Sequence, residues 1–104
     1  MSLSETELNE SPARTVTITD DALTVDLVDG RTISVPLAWF PRLLHGTAME
    51  RQTWRFIGRG EGIHWPKLDE DISIGSLLAG RQSYESHESL GRWLELRGGP
   101  KSSS

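Results

Sequence analysis

Residues 15–35 read TVTITDDALTVDLVDGRTISV, and the fold follows from this stretch. Thr15 to Thr19 alternates polar and apolar positions and is rich in β-branched residues, as a strand with one buried face does. Asp20-Asp21 turns the chain, and Leu23, Val25 and Leu27 repeat the alternation. Asp29-Gly30 is a strong hairpin signal, after which Thr32 to Val35 alternates a third time. Three such runs joined by tight turns predict an antiparallel β-meander with one apolar face.

Downstream, Pro36 ends the third run. Leu37, Phe40, Leu43 and Leu44 then mark one face of a short helix reaching about Thr47, with Pro41 in or near a first turn. Glu50-Arg51-Gln52 continues as helical turns, and Trp54 to Ile57 reads as a fourth strand. Gly58, Gly60 and Gly62 connect it to a short fifth strand, Ile63 to Trp65, closed by Pro66. Asp71 or Ser73 can cap a helix carrying Ile74, Leu77 and Leu78 and ending at Gly80. Tyr84 to Arg97 resembles a further helix, with Leu90, Trp93 and Leu94 on one face. The expected architecture is an α+β domain: an antiparallel β-meander with short helices packed on one face, plus a C-terminal helical extension. We divide the chain into an N-terminal arm over 1–13, a domain over 14–80, a helical extension over 81–97 and a loose tail over 98–104.

The chain has 104 residues, enough for one modest core. It lacks cysteine, which excludes disulfide scaffolds, thiolate zinc sites and thiol catalysis. No apolar run approaches the roughly 18 residues that span a bilayer, and the acidic N-terminus is unlike a signal peptide, so a cytoplasmic location with no membrane partner is expected. The net charge of −4 disfavours nucleic acid as a partner of the isolated chain. Residues 1–30 carry a balance of −6 and residues 31–60 one of +4. Internal complementarity and a basic patch for an acidic partner both account for this split.

Between the apolar segments lies GRGEGIHWPKLDED, residues 58–71. Its glycines join two strands and are followed by no Gly-Lys-Ser/Thr, so they read as a wide turn rather than a phosphate cradle. Consecutive carboxylates diverge on a helix or strand, so Asp69-Glu70-Asp71 reads as capping and ion-pairing groups with Arg51 and Arg55 as partners. His64 stands far in sequence from His45 and His87, and no metal or cofactor is expected. Trp39, Trp54 and Trp65 are core candidates, with the alternative that one or two face outward beside arginines in an interface.

The run Leu27 to Leu43, then Arg51, Gly60 to Pro66, Leu68 to Ile74 and Leu77-Leu78, closely resembles the bacterial family catalogued as domain of unknown function 2442. The resemblance covers about Arg14 to Gly80. It implies a small α+β domain whose members stand alone, precede a helix-turn-helix, or neighbour another small protein in what looks like a toxin–antitoxin pair. It implies no catalytic residues, and nothing after Gly80 looks like a helix-turn-helix.

The reading that follows is a non-enzymatic, antitoxin-like interaction module. It binds a small protein partner, such as a toxin encoded nearby, through Trp39, Arg42, Arg51, Arg55, Arg59 and Trp65, with a homodimer as a further arrangement. Substituting Arg51 and Arg55 together should then weaken the complex and leave the fold intact. One alternative is a DNA-associated transcriptional regulator. Another is a small enzyme using His64 with Asp69 or Asp71.

Overall fold

The computed structural model describes residues 11–83 and 85–97. The expected tail over 98–104 and most of the expected arm lie outside the described residues. Strands β1 (Ala13–Ile18), β2 (Ala22–Leu27) and β3 (Thr32–Pro36) form the meander, antiparallel in the order β1-β2-β3. Its alternation works as the sequence implies. Val16, Ile18, Leu23, Val25, Leu27 and Val35 are buried on one face. On the other face, Thr15 and Thr32 both donate to the Asp26 carboxylate, at 2.8 and 2.7 Å, and the Thr24 and Ser34 hydroxyls meet at 3.0 Å. These bonds hold the Asp26 carboxyl below its usual range, that from Thr32 first and that from Thr15 second.

β1 begins one residue before the expected domain boundary, because Ala13 is a buried strand residue whose N–H donates to Gly60 O at 2.8 Å. Gly60 has φ +99°, and a Cβ there would lie 2.9 Å from Ala13 O. Only glycine admits that approach. The glycine-rich stretch is therefore a turn, as expected, and it also fastens the first sheet to the second.

The second sheet comprises β4 (Arg55–Ile57), β5 (Gly62–Trp65) and β6 (Glu70–Ser73), again antiparallel and in sequence order. Periodicity in the sequence does not announce β6, since two of its four positions are exposed, Glu70 is partly buried and only Ile72 is an apolar marker. Between the sheets, the helix expected from Leu37 to about Thr47 is broken into a 3-10 turn (Leu37–Trp39) and α1 (Pro41–Leu44), and the helical turns expected at Glu50 to Gln52 fall in α2 (Ala48–Gln52). A break is natural before Pro41, which has no N–H to donate to the preceding turn. Thr47 opens α2 with a capping box: its side chain accepts from Glu50 N–H, and Glu50 accepts from Thr47 N–H.

Ser73, not Asp71, caps α3 (Ile74–Leu78). Ser86 caps α4 (His87–Leu96), which is shorter than the expected 84–97 segment because the cap lies inside it. One core unites the parts: Leu37, Phe40, Leu43, Ile63, Trp65, Leu68, Ile72, Ile74 and Leu77 pack with the buried face of the first sheet. Among the described residues no helix is long and apolar enough to cross a membrane.

Candidate functional site

The second sheet aligns three polar residues that sequence spacing leaves apart. In the register, Arg55 on β4 is opposite His64 on β5, which is opposite Asp71 on β6. Side chains directly opposite one another share a face, so Arg55, His64 and Asp71 form a row across the sheet. His64 Nδ1 hydrogen-bonds Asp71 Oδ1. Phe56, Ile63 and Ile72 form the neighbouring row, which faces the core. A groove of about 470 Å³ runs along the outer face, lined by Arg55, Phe56, Ile57, Gly58, His64 and Asp71. Arg59 sits at the adjoining turn, exposed, and its backbone N–H donates to Glu61 at 2.9 Å.

The other residues expected at one binding surface are dispersed. Trp65 has 0% exposure, and its indole N–H donates to Arg51 O at 3.0 Å, so the core takes it and no surface presents it. Trp39 and Trp54 are half-buried against the core, Trp54 lying 5.0 Å from Phe56 between ring centroids. Arg51 donates to Leu43 O at 2.8 Å, Leu44 O at 2.7 Å and Asp20 at 3.0 Å. It therefore closes the C-terminal end of α1, where carbonyls lack partners within the helix. Arg42 grips Glu85 through two 2.7 Å hydrogen bonds and also reaches Asp69. The expected pairing of Asp69-Glu70-Asp71 with Arg51 and Arg55 is thus overturned: Asp69 goes to Arg42 and Asp71 to His64. Part of the charge split between 1–30 and 31–60 is internal complementarity, as the Arg51–Asp20 pair shows.

Glu70 is the unusual carboxylate. Burial pushes its pKa up to about 7, the Glu85, Asp71 and Asp69 charges add to the rise, and the Arg42 guanidinium opposes it. Because the folded pKa lies above the unfolded one, the folded state holds the extra proton between about pH 4.5 and 7. This contribution to stability is therefore fully present below pH 4.5 and is lost as pH rises through 7. Glu70→Gln should remove that slope and stabilise the protein at pH 8 by about 2 kcal/mol, allowing for partial exposure of the group. Urea midpoints from pH 4.5 to 8 measure it, and parallel curves for the two proteins would refute it. Glu50 behaves oppositely: the Arg97 hydrogen bonds hold it down at about 2, so its contribution is lost as pH falls from 4.5 through 2.

The family described as "Protein of unknown function (DUF2442)" matches residues 13–83. The chain belongs to that family. A protein of unknown function from Rhodospirillum rubrum, 28% identical, has a similar fold with a TM-score of 0.63 over 74% of this chain and 95% of its own. An uncharacterized protein from Chromobacterium violaceum, 19% identical, shares the fold with the same score over 89% of this chain and 82% of its own. No curated protein matches. The DUF2442 span includes both sheets and α3, and it stops short of α4, which this chain carries beyond the matched domain.

Proposed function

We propose that this DUF2442 chain is a non-enzymatic, antitoxin-like interaction module of the bacterial cytoplasm. It covers a small partner protein with the outer face of the second sheet. The observation that carries the reading is the different use of the arginines. Arg42, Arg51 and Arg97 are engaged with carboxylates of this chain, whereas Arg55 and Arg59 are exposed with no side-chain ion pair among the described residues. They lie beside Ile57, which is 42% exposed, and on or next to β4, an edge strand. Arginine beside an apolar residue on an open edge suits a partner with an acidic, strand-edged surface.

The test is affinity capture from native lysate, nuclease-treated and untreated, with wild-type bait and an R55E/R59E variant. A single small acidic protein should come down with wild type in both samples and fall by roughly tenfold or more with the variant. Undiminished recovery with a folded variant would place the surface elsewhere. Recovery only without nuclease would favour the DNA-associated regulator. The His64–Asp71 hydrogen bond favours the small-enzyme reading, since a carboxylate orients a histidine for proton transfer. It is the second reading, and it gains if the bait returns empty.

A further inference from the structure

The face of the matched domain that carries Arg42 and Glu50 is covered by the segment that follows it. Glu85, Ser89, Trp93 and Arg97 recur every fourth residue, which places Ser89, Trp93 and Arg97 along one stripe of α4. Every member of the set makes a polar or ring contact. Glu85 takes both hydrogen bonds from Arg42, and Ser89 donates to Glu85 at 2.7 Å. Arg97 donates to both Glu50 oxygens, at 3.0 and 2.8 Å. Trp93 lies beneath the two guanidiniums, 5.2 Å from Arg42 Cζ and 4.6 Å from Arg97 Cζ. The connecting chain is pinned by Ser83 N–H to Trp39 O at 3.0 Å.

The surface therefore has a direction: a cation meets the N-terminal end of the stripe, a carboxylate meets the C-terminal end, and an aromatic lies between. α4 has no fully buried residue, and Leu96 at its end is 88% exposed. Charge and cation–π contacts hold it, together with the partial burial of Trp93 against the core. A ten-residue helix is too short to persist alone in water, so α4 folds as it docks.

We propose that the Arg42–Glu50 face of the domain is a docking site for a helix bearing a carboxylate, an indole and a guanidinium along one stripe. Residues 85–97, which are α4 with the Glu85 carboxylate just before its cap and Arg97 at its end, are its occupant within the chain, and a partner segment of the same chemistry binds only where they have left. This inference is independent of the Arg55–Arg59 surface. Its consequence is a domain whose helix-binding face is self-covered, with α4 competing at the roughly millimolar effective concentration of a short tether.

The test uses the full chain and a fluorescent peptide of residues 85–97 as probe. An E85A/W93A/R97A chain keeps Arg42 and Glu50 but loses the Glu85, Trp93 and Arg97 contacts of its own occupant. It should bind the peptide at least tenfold more tightly than wild type, and a peptide carrying both Glu85→Arg and Arg97→Glu should lose that binding. Equal affinity of both chains for the native peptide, or no binding by the variant, overturns the proposal. Amide hydrogen exchange on the wild-type chain checks it without a substitution. The Leu90 and Arg97 amides should open far more readily than Val25 in the central strand, and equal protection would show α4 to be an inseparable part of the core.

Discussion

Trp65→Ala is expected to cost about 3–5 kcal/mol, the range for truncating a buried large aromatic. Trp65 is the largest fully buried side chain, and it sits on the middle strand of the second sheet among residues that join both sheets. Truncation opens a cavity where neighbours from several elements meet. It also strands the Arg51 carbonyl, which loses its indole donor. A domain of this size has about 5–15 kcal/mol of stability in all, so the variant should be largely unfolded at moderate urea. Circular dichroism against urea measures this, with Trp65→Phe as the control. Phe keeps most of the packing and loses the hydrogen bond, so it should fall between the two. A Trp65→Ala midpoint matching wild type would mean that the two sheets do not share a core.

The second large effect separates two arginines that composition alone treats alike. Arg51→Ala should destabilise by about 2–4 kcal/mol, because charge-assisted hydrogen bonds to partly buried carbonyls are worth more than surface pairs. Its side chain is 12% exposed, and two of its three partners are the terminal carbonyls of α1. Asp20 is almost fully exposed and contributes little. Arg51→Lys should not rescue the loss, since an ammonium cannot reproduce the planar fork that reaches three acceptors. Arg55→Ala should stay within about 0.5 kcal/mol of wild type, as surface substitutions do. Urea midpoints of the single variants decide it: a stable Arg51→Ala would return that residue to the binding surface. The double substitution of Arg51 and Arg55 is therefore no clean probe of partner binding. It would report mostly on folding, which is why the capture experiment alters Arg55 and Arg59 instead.

The pattern of residues 15–35 was sufficient for the first sheet, since a period of two and an Asp-Gly turn are local properties that burial of one face reinforces. The family resemblance, read from Leu27 to Leu78, agrees with the matched span of 13–83. Helix starts at Ser73 and Ser86 are legible through capping, a local hydrogen bond, although the helical pattern from Tyr84 to Arg97 by itself does not mark Ser86 as the boundary. The four-residue recurrence of Glu85, Ser89, Trp93 and Arg97 is local too, but its mostly polar members fall outside the apolar period of that segment.

Tertiary structure alone decided the partners of the charged groups. Arg42 meets Glu85 across 43 residues and Arg97 meets Glu50 across 47, and no periodicity links positions so far apart. Likewise, Arg55, His64 and Asp71 share a row only because β6 pairs with β5 in a register that its one buried apolar residue, Ile72, scarcely announces. Which tryptophan enters the core was settled in the same way. The sequence by itself determined where the chain alternates, turns and caps, because those are contests between neighbouring groups. The assignment of each arginine, carboxylate and indole to core, latch or open surface depended on distant segments arriving together, and only the folded chain brings them there.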